Sequence, residues 1–332
     1  MDVPPLMHFA KSACRALIGA GVSGAAMLLV AGCSDAGREE GDWRSQMGQI
    51  RSAMTASEED PRMTEGIGAY RNYLEKATGL PVRMYESGSH NGAIQALSSG
   101  QADFVFLPAA SYANVDAQIG DKAAPILAVR GVDGEMGYYS ALIVKASSPY
   151  HRFEDLRGKT IGYVDFNSTS GYLYPRKRMR EMGFNPDNFF GRVALAGGHT
   201  QAVMALGSDQ FDATIINVGG GTPETGFTSG SLVTLARRGL IDLDDFRTLL
   251  TVGPMPQSSV IIRTDRPKEF QDLIRGALAA LPYDEPDVWR SMGRADGASL
   301  TGVTREYYRE VIDLRNEELV ERRLAASGQV PE

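Results

Sequence analysis

The sequence predicts an α/β fold with mostly parallel sheets, divided into two lobes. Two observations predict it. Short β-like runs alternate with helical stretches along most of the chain, the order in which a helix returns each strand to the same sheet edge. About 300 residues remain beyond an N-terminal leader, enough for a self-sufficient core and long enough to split into two units.

Taken in order, "LPVRMYES" reads as a strand, "NGAIQALSSG" as a helix, and "ADFVFLP" and "PILAVRG" as strands. Downstream, "YSALIVKA", "KTIGYVD", "GRVALAG", "FDATIIN" and "SSVIIRT" are strand candidates rich in β-branched residues. Helical periodicity covers about 62–77, 176–182, 199–207 and 267–281. The proline- and acid-rich "PYDEPDVW" reads as a surface loop. In the final "TREYYREVIDLRNEELVERRLAAS", Tyr307, Val311, Leu314 and Leu319 follow helical spacing, and the charges are read as the solvated face of a packed helix. The chain shows neither an internal repeat nor a low-complexity tract.

Residues 1–32 read as an export signal. Lys11 and Arg15 form a positive n-region, and Ala16 to Val30 carries no charge. Val30, Ala31 and Gly32 then place small residues directly before Cys33, which resembles the bacterial lipobox. That resemblance implies cleavage before Cys33 and a diacylglyceryl group on its thiol; an ordinary signal peptide ending near a cysteine is the alternative. "GAGVSG", Gly19 to Gly24, matches a dinucleotide fingerprint letter for letter, but it lies between a basic n-region and a cleavage site, not between a strand and a helix. NAD and FAD are therefore discarded, and no cofactor is expected.

Cys14 and Cys33 are the chain's 2 cysteines; one leaves with the signal and the other is the lipidation candidate, so no disulfide is expected. Of 34 basic and 41 acidic residues, the signal removes Lys11, Arg15 and Asp2, leaving 32 and 40 and a net charge of −8. Such a balance argues against nucleic acid, which needs a basic footprint. After the signal no apolar run approaches a membrane span, so membrane contact is expected through a lipid anchor alone. Residues 33–46, polar and glycine-containing, read as a tether.

The most informative stretch is "DFNSTSGYLYP", residues 165–175, where Ser168, Thr169 and Ser170 precede Gly171. A helix start requires one capping hydroxyl. The same place offers free N–H groups and a favourable dipole, and further hydroxyls add donors converging on one point, as an oxyanion bound without a metal needs. On this reading Ser168 caps while facing a ligand, Thr169 and Ser170 supply donors, and Gly171 lets the backbone approach it. Pro175 disfavours helical backbone at Tyr174, so a bent or restarted helix is expected. A capped surface helix in a Ser/Thr-rich loop remains the alternative on these residues alone.

"SHNGAIQALSSGQADFVFLP", "GYYSALIVKASSP", "FEDLRGKTIGYVDFNSTSGYLYP" and "AGGHTQAVMALGSDQFDATIIN" together resemble the periplasmic phosphonate/phosphite-binding proteins of ABC importers, from about residue 48 to the C-terminus. The resemblance implies a type II periplasmic-binding-protein fold, two α/β lobes joined by two crossover strands. Transferred here, residues 47–137 plus 260–332 form one lobe and 138–259 the other, with hinges in "GYYSALIV" and "GPMPQSSVII". It further implies that Ser168, Thr169 and Ser170 cradle the phosphorus oxygens, with Tyr138 and His199 as further contacts. His90 stands where the family has a tyrosine; it is either an anion donor, stronger if protonated, or an exposed loop histidine. A satisfied packing histidine is the alternative for His199. Asp165 is followed by Phe166 where proline is usual, so the loop is expected to differ in shape. The implied partners are a small phosphorus oxyanion and an inner-membrane ABC permease, with the protein a monomer on the periplasmic side of a bacterial membrane.

Where the family pairs an aminoalkyl tail with carboxylates, the alignment places Gly219 and Ser258, with Glu224 the acid nearest in sequence to Gly219. A buried ammonium without a partner costs about 3 to 5 kcal/mol. Phosphite, methylphosphonate or phosphate is therefore expected to be preferred over 2-aminoethylphosphonate. Micromolar affinity needs about 8 kcal/mol, against about 0.3 to 2 from a helix terminus and about 1.5 to 3 from a charge-assisted hydrogen bond. Both lobes must therefore contribute donors.

Catalysis finds no support. Neither Ser168 nor Ser170 sits in G-x-S-x-G, no serine has a lysine three positions on, and the histidines form no metal-ligand pair. Asp103 and Asp212 are read as fixing turns. An anion-sensing lipoprotein signalling to a membrane partner is the remaining rival, since sensing and transport share one closing motion.

Overall fold

A computed structural model describes residues 42–55, 61–87, 89–292, 294 and 296–327. The export signal, Cys33 and residues 33–41 of the expected tether lie outside them. The chain begins with α1 (Trp43–Met47), β1 (Ile50–Thr55), α2 (Pro61–Thr78), β2 (Val82–Ser87), α3 (His90–Ser98), β3 (Phe104–Leu107), α4 (Ala109–Ile119) and β4 (Ala123–Arg130). It continues with β5 (Gly137–Lys145), β6 (Thr160–Tyr163), α5 (Tyr174–Glu181), β7 (Arg192–Leu195), α6 (His199–Gly207), β8 (Ala213–Thr222), β9 (Gly226–Gly230), α7 (Ser231–Arg237) and β10 (Phe246–Pro256). The last elements are β11 (Ser259–Arg263), α8 (Lys268–Asp284), α9 (Pro286–Ser291), β12 (Ser299–Gly302) and α10 (Arg309–Ala326).

Two sheets result. One runs β12-β4-β11-β3-β1-β2; the other runs β10-β5-β8-β6-β7, with β9 beside β8. The chain passes from the first to the second between Arg130 and Gly137 and returns between Pro256 and Ser259. The sheets are mixed, not mostly parallel as expected. β1 is parallel to β2 and β3, and β6 to β7 and β8, but β11, β12, β5, β9 and β10 all pair antiparallel. The reason is the double crossing: strands leaving and re-entering a lobe run in opposite directions and meet as antiparallel neighbours.

Each sheet is covered on both faces, and alternation along its strands supplies both cores. Phe104 packs with Trp43, Tyr70 and Phe270, while adjacent Val105 packs with Ile94, Tyr112 and Tyr308. In the second sheet Leu142 joins Ile161 and Phe189, and Ile143 joins Val203 and Leu206. Asp103 and Asp212 fix strand ends, as read. Asp103 accepts from the Arg51 N–H at 2.8 Å and from the Arg51 and Arg266 guanidiniums; Asp212 accepts from the Thr160 N–H at 2.8 Å and from the Tyr150 hydroxyl.

Three local expectations are corrected. Trp43, assigned to the tether, is buried against Phe270, so folded structure starts at α1. "PYDEPDVW" is the end of α8 and the start of α9, and Trp289 is 3% exposed. The charges of α10 are not all solvated: Arg315 and Glu318 are 2% and 1% exposed and form an ion pair, with Arg322 on the same carboxylate at 2.8 Å. Charges one helical turn apart satisfy each other when tertiary packing covers them both.

Removing one member of a buried pair leaves the other uncompensated. Glu318→Gln is expected to lower unfolding stability by about 3 to 5 kcal/mol, read by denaturant melts, whereas Glu321→Gln on the exposed side should cost about 1 kcal/mol or less.

Candidate functional site

β6 ends at Tyr163, and the next residues fold into a tight, internally bonded turn. Asp165 Oδ1 accepts from the Asn167 N–H at 2.6 Å, and the Asp165 carbonyl from the Ser168 N–H at 3.0 Å. Ser168 Oγ then accepts from the Gly171 N–H at 2.9 Å, the cap read from the sequence. Thr169–Leu173 form a widened π-helical turn, closed by the Leu173 N–H on the Ser168 carbonyl at 3.1 Å.

Tyr174 nevertheless has helical backbone, φ −68° and ψ −39°, contrary to the expected avoidance before proline. Pro175 falls in the first turn of α5, where a missing N–H loses no partner. Gly171 also serves in packing. Its N–H is engaged by Ser168, and a Cβ there would lie 2.4 Å from Val164 Cβ, so packing beside the end of β6 by itself requires glycine at this position.

Ser168, Thr169 and Ser170 are 3%, 0% and 2% exposed and face the other lobe. The Ala110 N–H at the start of α4 donates to Thr169 Oγ1 at 2.9 Å, Ser111 Oγ donates to the Asn167 carbonyl at 2.9 Å, and Asn114 Nδ2 to Asn167 Oδ1 at 2.7 Å. Sequence reading missed this contribution of α4. The available signal was a second strand-to-helix junction, "FLPAAS", resembling the first in position if not in hydroxyls.

The other candidates converge on the same place. Burial raises the pKa of Tyr138, and its hydrogen bonding with the side chains of Ser170 and Thr169 works against that rise. His199 Nδ1 accepts from the Asn217 N–H at 3.2 Å, which leaves the proton of the neutral ring on Nε2, 3.5 Å from Ser170 Oγ. Burial, reinforced by the charge of nearby His90, pushes its pKa down to about 3. His90 opens α3; burial lowers its pKa too, and the Asp165 carboxylate opposes that shift. The ordinary state of both rings here is therefore neutral, and protonated His90 is disfavoured.

A clamp from α10 holds the turn from behind, and nothing in the local sequence announced it. Arg315 Nη2 donates to the Phe166 carbonyl at 2.8 Å, and Arg322 Nη2 to the Tyr172 hydroxyl at 2.6 Å. Phe166, standing where proline was expected, packs edge-on against Tyr172 with centroids 5.1 Å apart.

Beyond Tyr138 opens a cavity of about 1960 Å³, lined among others by Asn217, Gly219, Ser291, Arg294 and Tyr307. Ser168, Thr169 and Ser170 do not line it; Tyr138 stands at its threshold. A Cβ on Gly219 would come 3.9 Å from Tyr138 Cβ, so this position borders the hydroxyl cluster. Ser258 lies at the second crossing, where its carbonyl accepts from the Val129 N–H. Glu224 is exposed at the β8–β9 turn, its carboxylate bonded to Thr222 at 2.7 Å, and does not line the cavity.

Residues 52–302 match the family model described as ABC transporter, phosphonate, periplasmic substrate-binding protein. The chain belongs to this family. It is 29% identical over 148 residues to the phosphate-import protein PhnD of Mycolicibacterium smegmatis, a match covering 42% of this chain and 46% of that protein. It is 32% identical over 151 residues to the phosphonates-binding periplasmic protein of Escherichia coli, covering 43% of each. The chain thus spans less than half the length of these curated relatives. PhnD1 of Prochlorococcus marinus, solved in complex with methylphosphonate, superposes with a TM-score of 0.68 at 13% identity, covering 81% of this chain and 98% of that one. That likeness establishes the type II periplasmic-binding-protein fold.

The buried neutral histidine makes a prediction about acid stability. Unfolded His199 takes up a proton as pH falls through 6.5, but the folded protein resists until about 3. The unfolded state binds more protons in that window, so stability drops as pH falls through it. His199→Gln is expected to shallow the decline of melting temperature on the acid side of pH 6.5; wild-type and variant curves that stay parallel would contradict the assignment.

Proposed function

We propose that this protein is a solute-binding lipoprotein that encloses a phosphorus oxyanion and delivers it to an ABC permease in the inner membrane. The observation that carries this reading is the burial of Ser168, Thr169 and Ser170 at the lobe junction, beside Tyr138, His199 and the N-terminus of α4. These groups are neutral donors around one point. The hydroxyl hydrogens of Thr169 and Ser170, the Tyr138 phenol and His199 Nε2–H offer four directions for a tetrahedral anion, and His90 adds another from the first lobe. Metal is not needed for such a site, because donors held at a fixed geometry replace the anion's water shell.

Among phosphorus oxyanions, the reading favours phosphite, methylphosphonate or phosphate over 2-aminoethylphosphonate. Gly219 borders Tyr138 with no carboxylate to offer, Ser258 is at the crossing, and Glu224 is exposed at a distant turn. The similar proteins, a phosphate-import protein, a phosphonates-binding protein and a protein solved with methylphosphonate, fit this ligand class. Lipidation at Cys33, with the protein monomeric on the periplasmic side, completes the proposal.

Calorimetry with the four ligands tests it. Thr169→Ala and Tyr138→Phe each remove one hydrogen bond to a charged group, about 1.5 to 3 kcal/mol, and are expected to weaken methylphosphonate binding about ten- to a hundredfold; both stay folded, but Thr169→Ala also leaves the buried Ala110 N–H without its acceptor and is expected to lose about 1 to 3 kcal/mol of stability. Unchanged affinity in both variants, or tightest binding of 2-aminoethylphosphonate, would refute the assignment. Cys33→Ser is expected to move the protein from the membrane fraction to the soluble periplasm; unchanged partitioning would remove the anchor.

A further inference from the structure

Arg294 is a charged side chain that the hydroxyl cluster does not use. Its guanidinium stacks 3.9 Å from the Phe106 ring centroid and 5.9 Å from that of Trp289. It lines the same cavity as Tyr138 and Gly219. Among the described residues it makes neither an ion pair nor a hydrogen bond, and its Nε is buried without a partner; Trp289 Nε1 beside it is likewise buried and unpartnered. Neighbouring Arg290 is different, since it is paired with Asp287 and Asp296. Burial pushes the pKa of Arg294 down to about 10, which leaves it cationic at neutral pH.

Arg294 as a whole is half-buried, but its Nε is cut off from water without an acceptor, and a partly desolvated cation without a counter-ion is costly. Aromatic faces offset part of that cost through the ring quadrupole, but they supply no hydrogen-bond acceptor to the fork of N–H donors. The Tyr70 phenol also faces Arg294, but burial raises its pKa, so it stays neutral and supplies no counter-charge. The group that would complete this wall is an anion.

The position of this wall relative to the hydroxyl cluster is set by one short segment. Phe106, beneath Arg294, is four residues before Ala110, whose N–H bonds Thr169. Four residues span at most about 14 Å. Tyr138 and Gly219 both line the cavity that Arg294 lines, and Tyr138 also bonds the Ser170 and Thr169 side chains, so Tyr138 is the group shared by the hydroxyl cluster and the wall around Arg294.

We propose that Arg294 is the second anion site of a bidentate ligand, an organophosphonate whose tail ends in a carboxylate or a second oxyanion. This rests on the reading of the hydroxyl cluster as the phosphorus site, and it specifies the tail that this site accepts. Simple phosphonates occupy the cluster alone; ω-acidic ones bridge both sites and bind more tightly.

Calorimetry with phosphonoacetate, 3-phosphonopropionate and longer ω-carboxyalkylphosphonates, each against the alkylphosphonate of equal chain length, tests the proposal. The wild type is expected to bind at least one acid about tenfold or more tightly than its uncharged counterpart. Arg294→Gln should abolish that preference and leave methylphosphonate affinity unchanged. Equal affinities across every pair in the wild type would overturn the proposal, and this outcome needs no variant to fold. A preference that survives Arg294→Gln would overturn it as well. Loss of methylphosphonate binding by the wild type would instead refute the phosphorus site itself, so the two failures are distinguishable.

Discussion

The turn from Asp165 to Gly171 is fixed from three directions, and the rest of the site is organised around it. From within, Asp165 and Ser168 close its own backbone groups. From below, Gly171 seats against Val164 at a distance no Cβ would permit. From behind, Arg315 holds the Phe166 carbonyl, with Glu318 balancing its charge and Arg322 sharing the same carboxylate. On the proposed reading of this turn as the anion site, a loop fixed in this way loses little further freedom on binding, which lets weak neutral donors supply affinity.

Neutral donors suit a ligand that must be released. In the proposed site, a cation facing the anion directly would bring strong attraction together with a desolvation penalty when the lobes close. Hydroxyls and a neutral imidazole avoid that penalty, and burial keeps His199 in this form. The α4 backbone joins the same turn through Ala110, Ser111 and Asn114, so closure and completion of the donor set are one event.

Much of the architecture was legible because it depends on local pattern. The β-branched runs at 160–163, 213–216 and 259–262 are strands, the helices at 199–207 and 268–284 follow apolar periodicity, and the Ser168 cap follows from residue type. What was not legible depends on residues far apart in the chain. The α4 contacts join positions more than fifty residues away, and whether Arg315 and Glu318 are solvated or buried is decided by what α10 packs against. The mixed sheets arise from a chain that crosses twice, which no single β-then-α unit reveals. Gly171 stands out in the sequence, but its packing against Val164 could not be read there. His90 read in sequence as a donor that protonation would strengthen; desolvation, which the sequence does not display, keeps it and His199 neutral.

A crystal structure of the protein grown with methylphosphonate tests the central claim most directly. The phosphorus atom is expected between the lobes, its oxygens within hydrogen-bond distance of the Thr169, Ser170 and Tyr138 hydroxyls and of His199 Nε2. Clear density for the ligand elsewhere, with those four groups bonded only to water or to one another, would contradict it.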